Sequence, residues 1–215
     1  MAPPLTLVLA TSNEGKLVEL RSLLSDLPFE LVSYAEIVGE RRMLSEDGDT
    51  FEANAVQKAR AVCHATRLLS LADDSGLEVD ALGGRPGVRS ARFAHERATD
   101  AENNAALLRA LEDVDEGGRA ARFRCVLALA SPGEDAARVV EGRCEGSIAR
   151  TPRGSGGFGY DPLFVVQDAN GRAMAELAEL EKNAISHRSR AVRALHPILL
   201  ELVNQKLAES ERIAG

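Results

Sequence analysis

The chain has 215 residues, enough for one large domain or two modest lobes, and its 45% hydrophobic and 27% charged residues are typical of a globular protein. Its formal net charge of −7 argues against a general surface for nucleic-acid polymers or anionic membranes, so we predict neither as a partner. No apolar run is long enough for a membrane span or signal segment, and three cysteines without metal-ligand spacing suit reduced thiols, so we expect a cytoplasmic location.

The first predicted segment is a strand followed by a polar loop and a helix. Residues 5–10 are almost entirely apolar, and leucines at helical spacing follow from Leu17 to Leu24. Between them lies a polar string, whose members are Thr11, Ser12, Asn13, Glu14, Gly15 and Lys16. Ser12 or Asn13 can cap the helix, and its first N–H groups together with the Lys16 ammonium would hold a phosphate chain. A simple capped helix with an exposed lysine is the competing interpretation.

The next predicted helix covers residues 51–66, with Asp49 and Glu52 as its capping box. Asn54 and Lys58 are four residues apart in this helix. They therefore share one helical face and can act on the same group.

Two clusters of acidic residues are candidate metal sites. Residues 68–72 predict a buried strand, so we expect the carboxylates of Asp73 and Asp74 to emerge at the end of that strand. One of them could bind a hard cation such as Mg²⁺, and one could orient or deprotonate water. The second cluster is residues 45–49, just ahead of the Lys58 helix. An acidic turn or a solvated loop is the alternative interpretation of both clusters.

The second half of the chain mixes strands and helices. Thr99 and Glu102 form a capping box that opens a helix through Leu111. Further strands are predicted over residues 123–130, 138–144 and 163–166. A helix follows over residues 186–196, where Pro197 either kinks it or begins a fresh helix. This mixture of hairpin and strand–helix signals predicts an α/β protein with a mixed central sheet flanked by helices.

A glycine-rich loop over residues 154–159 holds one of the few aromatic residues, which make up 4% of the chain. Glycines on both sides of Phe158 leave its ring open to a planar ligand, and Asp161 nearby can accept hydrogen bonds. The pattern favours contact with a base or sugar over a turn that needs glycine for backbone reasons alone.

Lys182, His187 and Arg188 bring three donors close to a predicted helix start. A 6-oxo purine presents an acceptor where adenine presents a donor amine. Cationic donors at this position therefore suit hypoxanthine, xanthine or guanine and leave adenine mismatched. A charged helix entry without a ligand is the alternative.

Lysine is scarce, with four lysines among the 26 basic residues. Three of the four, Lys16, Lys58 and Lys182, fall in the strings described above. An ammonium is a compact point charge, whereas a guanidinium is a planar fork, so the two cations are not interchangeable around phosphate oxygens. Chance and codon bias remain the alternative explanation.

Five strings in this order resemble the Ham1-like inosine triphosphate pyrophosphatase family. They are TSNEGK at 11–16, TFEANAVQKA at 50–59, ADDSGLEVDALGGRPG at 72–87, GGFGYDPLF at 156–164 and AELEKNAISHR at 178–188. The resemblance implies an ITPase-like fold in which residues 1–215 form a single domain with two lobes and a site in the cleft between them. It also implies a homodimer that uses Mg²⁺ to hydrolyse dITP, ITP and XTP to the monophosphate and pyrophosphate.

Matching positions assign expected roles. Thr11 to Lys16 would bind the phosphates, and Lys58 would assist catalysis. Asp74 would be the general base and a metal ligand, with Glu46 as a further metal ligand. The remaining substrate-binding positions, mostly of the base pocket, would be Ser75, Phe158, Gly159, Tyr160, Asp161, Lys182, His187 and Arg188.

The chain departs from the family pattern in one place. Many members have two consecutive acids before the Thr-Phe pair, whereas this chain has Ser45, Glu46, Asp47 and Gly48. The metal ligand is therefore either Glu46 or Asp47, and we expect Glu46.

Two other functions are alternatives. A related pyrophosphatase that prefers modified pyrimidine or standard triphosphates would leave Phe158 and the cations near Lys182 unexplained. A catalytically silent nucleotide-binding protein would require the loss of a key acid or lysine. The expected acids and lysines are all present, namely Asp74, Glu46, Lys16 and Lys58.

Overall fold

The computed structural model describes residues 5–39 and 44–214 and contains a six-stranded sheet in the order β2-β1-β3-β4-β5-β6. The strands are β1 (Leu5–Leu9), β2 (Phe29–Ser33), β3 (Leu69–Val79), β4 (Ala120–Ala130), β5 (Arg138–Ile148) and β6 (Phe164–Val166). Strand β1 pairs in parallel with β2 and β3, whereas β5 and β6 are antiparallel. The mixed sheet of an α/β protein is therefore confirmed.

The helices are α1 (Glu14–Leu23), α2 (Tyr34–Val38), α3 (Phe51–Thr66), α4 (Asp100–Ala110), α5 (Glu179–Ile185) and α6 (His187–Ala214). Helix α3 has the predicted bounds, but a fresh helix at Pro197 is wrong because α6 runs through the proline. Leu195 and Leu199 are fully buried on either side of it, and this packing offsets the hydrogen bond that the proline lacks. Among the described residues, no helix is long and apolar enough to cross a membrane.

Strand β3 is longer than the sequence predicts. It continues to Val79, so Asp73 and Asp74 lie inside the strand, and the prediction that they emerge at its end is wrong. Both acids are buried and both form ion pairs with lysines. A paired carboxylate can occupy a buried strand position that an unpaired one cannot, which is why the acids do not end the strand.

The predicted capping box of α3 is also wrong. The N-cap is Thr50, whose hydroxyl accepts a hydrogen bond from the N–H of Ala53 at 3.1 Å. The threonine lies next to the helix and satisfies one of its free N–H groups, so Asp49 is not needed as a cap.

The chain divides into two compact units. Unit 1 contains the residues up to Asp74, Val126–Glu141 and the residues from Arg190 onward, and unit 2 contains Ser75–Cys125 and Gly142–Ser189. Fully buried side chains of unit 1 include Leu7, Leu9, Leu20 and Leu71. The core of unit 2 includes Leu77, Leu107, Leu111 and Phe164. Each unit thus has its own apolar core, and the single domain expected from the sequence stays a prediction.

Candidate active site

The predicted phosphate loop of unit 1 joins β1 to α1. The Oδ1 of Asn13 accepts from the N–H of Lys16 at 3.0 Å, so Asn13, and not the other candidate Ser12, caps α1. Thr11 is buried, and its hydroxyl accepts from the N–H of Asn13 at 3.2 Å. The other members of the string are Ser12, before the cap, and Glu14 and Gly15, in the first helical turn. The partial positive charge at a helix N-terminus favours an anion here.

Lys16 forms an ion pair with Asp73 of β3, and its Nζ lies 2.6 Å from Oδ1. The Asp73 side chain is completely buried, whereas the Lys16 side chain keeps 14% of its surface exposed. The sequence pattern offered Asp73 and Asp74 together as candidate acids, but the family resemblance assigned a role to Asp74 alone. The lysine of the predicted phosphate loop is therefore held by a β3 carboxylate.

Lys58 of α3 makes three hydrogen bonds within unit 1. Its Nζ donates to Oε1 of Glu46 at 2.6 Å, to Oδ1 of Asp74 at 2.7 Å and to the carbonyl oxygen of Asp73 at 2.9 Å. Burial by itself lowers the pKa of Lys58, but the carboxylates of Asp74 and Glu46 outweigh it and raise the pKa above the usual lysine value. Lys58 is therefore a cation at neutral pH.

Asp74 is buried between polar partners. Its Oδ2 accepts from the side-chain amide of Asn54 at 3.3 Å, and Oδ1 binds Lys58. Burial raises the pKa of Asp74 above its usual range, because it outweighs the attraction of Lys58 and Lys16. A carboxylate with a raised pKa is a better proton acceptor, which suits a general base.

The loop before α3 presents Glu46 rather than Asp47 to this cluster. Glu46 binds Lys58, whereas Asp47 is exposed and accepts a hydrogen bond from the hydroxyl of Ser45. The N–H of Gly48 donates to Oδ1 of Asn54 at 2.8 Å and ties the loop to α3. The sequence pattern placed Asn54 on the helical face of Lys58, but the family resemblance gave Asn54 no role.

A metal ion would find two carboxylates in this cluster. Among the residues that the structure describes, no group of three or more His, Cys, Asp or Glu side chains could hold a metal ion. Mg²⁺, however, keeps several waters and is usually held by one or two carboxylates together with substrate phosphates. Glu46 and Asp74 bind the same ammonium, so hard oxygen donors are gathered at one point. The residues present therefore fit a divalent cation of this type.

In unit 2, Asp161 organises the glycine-rich loop. Its Oδ2 accepts from Nζ of Lys182 at 2.6 Å and from the N–H of Phe158 at 3.0 Å. Gly157 has a φ of +72°, and a Cβ there would collide with the Asp161 carboxylate. Only glycine fits at this position, because a side chain would displace the carboxylate that holds the loop.

The ring of Phe158 is half-buried and has two cations close to it. Nζ of Lys182 lies 5.1 Å from the ring centroid, and Cζ of Arg188 lies 5.8 Å from it. Both distances are within the range of cation–π attraction. The ring and the cations therefore form one set of contacts.

The remaining predicted residues of unit 2 extend this set or support it. Arg188 is buried and donates from Nη2 to the hydroxyl of Ser75 at 2.9 Å. His187 stacks on Phe123 with ring centroids 4.7 Å apart. Tyr160 is buried, and its hydroxyl donates to the carbonyl oxygen of Ser90 at 2.8 Å. The structure thus connects Ser75, Phe158, Asp161, Lys182 and Arg188, whereas His187 and Tyr160 bind other residues of unit 2.

Sequence comparisons identify relatives over most of the chain. A sequence model of the Ham1 family matches residues 7–198. The dITP/XTP pyrophosphatase of Desulforamulus reducens is 51% identical over 196 residues, which cover 91% of this chain and 96% of that protein. The protein of the same name from Bacillus subtilis is 47% identical over 192 residues, which cover 89% and 96%.

Solved structures agree with the sequence matches. A Ham1 protein from Coxiella burnetii superposes with a TM-score of 0.82 at 45% identity and covers 92% of this chain and 99% of that one. A nucleoside-triphosphatase / dITP/XTP pyrophosphatase from Mycobacterium abscessus gives a TM-score of 0.72 at 46% identity, with coverages of 90% and 100%. The fold, the ordered motifs and these matches lead to one conclusion: the chain belongs to the Ham1 family.

Proposed function

We propose that this protein is a nucleoside triphosphate pyrophosphohydrolase that converts dITP, ITP and XTP to the monophosphate and pyrophosphate, with Mg²⁺ as its metal. The observation that carries the proposal is the buried ammonium of Lys58, which binds the carboxylates of Glu46 and Asp74. The names of the Desulforamulus reducens and Bacillus subtilis relatives support the choice of substrates. The protein would thereby remove deaminated purines from the nucleotide pool.

The residues of unit 1 handle the triphosphate. The start of α1 and the ammonium groups of Lys16 and Lys58 offset the negative charge of the phosphate oxygens. Glu46 and Asp74 would hold Mg²⁺, which when bound withdraws further charge from those oxygens. Asp74 takes a proton from water, the water oxygen bonds to phosphorus, and the P–O bond between the α- and β-phosphates breaks with release of pyrophosphate.

The residues of unit 2 handle the base. Phe158 provides a flat apolar face on which a purine can stack. Lys182 and Arg188 are cationic donors that suit the 6-oxo acceptor of hypoxanthine or xanthine. Ser75 and His187 would also contact the substrate, while Gly159, Tyr160 and Asp161 would shape the loop that carries the ring.

We further propose a cytoplasmic homodimer that binds neither nucleic-acid polymers nor membranes. Three buried thiols suit a reducing compartment, and the net charge of −7 disfavours polyanionic partners. Light scattering of the purified protein should give the mass of two chains. The mass of a single chain would reject the dimer.

A substrate panel tests the proposed function directly. The enzyme is offered dITP, XTP, dUTP, dGTP and dATP with Mg²⁺, and pyrophosphate and phosphate are measured separately. We expect kcat/KM for dITP to exceed that for dATP by about a hundredfold, because adenine places a donor against cationic donors. Equal rates on dATP and dITP would reject the base assignment, and release of phosphate would reject pyrophosphohydrolysis. A preference for dUTP would identify the pyrimidine alternative, and binding without turnover would identify a silent protein.

A further inference from the structure

The backbone N–H and the carbonyl oxygen of Gly159 are both hydrogen-bonded to side chains of one helix in unit 2. Oδ2 of Asp100 accepts from the N–H of Gly159 at 2.7 Å. The side-chain amide of Asn104 donates to the carbonyl oxygen of Gly159 at 2.9 Å. Asp100 and Asn104 are four residues apart in α4 and therefore lie on the same helical face. Neither residue has a role in the function proposed above.

The clamped glycine directly follows Phe158. The N–H of Phe158 is fixed by Asp161, so the backbone that carries the ring is held on its N-terminal side by Asp161 and on its C-terminal side by α4. Gly159 has a φ of +61°, which glycine adopts without strain, so nothing in its own conformation forces this geometry. The two α4 side chains supply the constraint that the glycine lacks.

Asn104 differs in one respect from its neighbour Asn103. Both polar atoms of the Asn103 side-chain amide have partners. Nδ2 donates to the carbonyl oxygen of Ala91 at 3.0 Å, and Oδ1 accepts from the N–H of Ala94 at 2.9 Å. The Oδ1 of Asn104 is buried and has no hydrogen-bond partner among the described residues. A buried acceptor without a partner destabilises the fold, so stability alone does not explain an asparagine at this position.

We propose that Asp100 and Asn104 are positioning residues that set the orientation of the Phe158 ring and thereby the selection of the base. The inference rests on the proposed function, because it assigns a role at the same base-binding loop. Asn103 holds a different backbone segment and has no part in base selection. The two adjacent asparagines therefore provide a matched pair with one expected difference.

Asn104→Ala and Asn103→Ala should separate positioning from stability. We expect Asn104→Ala to raise KM for dITP about tenfold and to lower the dITP-to-dATP ratio of kcat/KM by a similar factor, while kcat changes less than about threefold. Calorimetry with IMP should show the same loss of affinity without turnover. Asn103→Ala should lower the melting temperature and leave the ratio unchanged, because the loop that carries Phe158 keeps its clamp.

Asp100 provides the same test at an exposed position, where substitution does not threaten folding. Asp100→Ala should reproduce the rise in KM, and Asp100→Asn should restore most of the wild-type value, because an amide oxygen can still accept from Gly159. If Asn104→Ala and Asp100→Ala had the same dITP-to-dATP ratio of kcat/KM as Asn103→Ala, the positioning role would be overturned and the proposed function would remain intact. A wild-type enzyme that does not prefer dITP to dATP would reject both.

Discussion

Units 1 and 2 contain the same kind of buried lysine–carboxylate pair in different surroundings. Lys58 and Asp74 of unit 1 are 2.7 Å apart, and Lys182 and Asp161 of unit 2 are 2.6 Å apart. A further carboxylate, that of Glu46, joins the first pair, whereas the second pair lies beside the aromatic ring of Phe158. The pair itself does not specify a task, because its neighbours decide which ligand it can bind.

The balance of charge shows how the neighbours differ. Among the contacts of the described residues, two lysines of unit 1 bind three carboxylates, whose members are Glu46, Asp73 and Asp74. In unit 2, the cations of Lys182 and Arg188 lie close to one ring, and the carboxylate of Asp161 binds Lys182. Clustered carboxylates suit a divalent cation with its phosphates, and cations beside an aromatic ring suit a neutral acceptor oxygen such as the 6-oxo group.

The largest effect is expected in the acidic set of unit 1, which consists of Glu46, Asp73 and Asp74. Asp74→Asn should lower kcat for dITP at least about a thousandfold, because it removes both a proton acceptor and a metal ligand. The exposed Asp80, which pairs with Arg122, provides the control, and Asp80→Asn should retain kcat within about twofold. Release of pyrophosphate measures both. A fully active Asp74→Asn enzyme would contradict the role given to Asp74.

Substitutions in the aromatic set of unit 2, which consists of Phe158, Lys182 and Arg188, should affect substrate binding more than turnover. Phe158→Ala should raise KM for dITP between about tenfold and a hundredfold, because the purine loses its stacking surface. Phe158→Tyr keeps the ring and should stay within about threefold of wild type. Steady-state kinetics with dITP separate the two constants. A fall in kcat alone would mean that the ring acts in chemistry and would remove the distinction between the two sets.

Glu46 and Asp47 allow a test inside the acidic set. Glu46→Gln should raise the Mg²⁺ concentration for half-maximal rate about tenfold, because one charged ligand becomes neutral. Asp47→Asn should leave that concentration within about twofold, since Asp47 binds Ser45 instead of Lys58. Magnesium titrations of the initial rate make the comparison. The reverse result would transfer the ligand role to Asp47.

The smallest effect concerns the support of the aromatic loop. Tyr160→Phe should lower the free energy of unfolding by about 1–2 kcal/mol at pH 8, because the buried carbonyl of Ser90 loses its donor. Burial, reinforced by Asp100, raises the pKa of Tyr160 in the folded protein. The unfolded chain therefore ionises first, and the advantage of wild type over the variant should shrink as pH rises above about 10.

Urea unfolding of both proteins at pH 8 and pH 11 checks this sign. A difference that stays constant between the two values would show that the phenol titrates alike in folded and unfolded protein. That outcome would remove the burial argument for Tyr160 while leaving the hydrogen bond to Ser90 in place.

The sequence predicted elements whose signals are local. Helix α3 has its predicted bounds because apolar residues repeat at helical spacing over its whole length, and Asn13 caps α1 as its position indicated. Strand β3 was cut short because Asp73 and Asp74 resemble a turn when their partners are unknown. Those partners, Lys16 and Lys58, come from other parts of the chain, and local patterns contain no information about such pairs.

In the candidate site, too, the sequence predicted the residues with a local signal and missed those whose contacts lie far away in the chain. Lys16, Lys58 and Lys182 stand out because lysine is scarce and their strings are unusual. Asp100 and Asn104 were missed because each contacts Gly159 across more than 50 residues of sequence. Ordinary helix residues give no sign of such a contact until the loop is placed beside them.

The ratio of kcat/KM for dITP to that for dATP most directly tests whether residues of unit 1 bind the triphosphate and residues of unit 2 bind the base. We predict that Glu46→Gln lowers both values and leaves the ratio within about threefold of wild type, because both substrates carry the same triphosphate. Phe158→Ala should lower the ratio about tenfold or more, since only the base differs between the substrates. A ratio that collapses in Glu46→Gln and survives in Phe158→Ala would contradict the account.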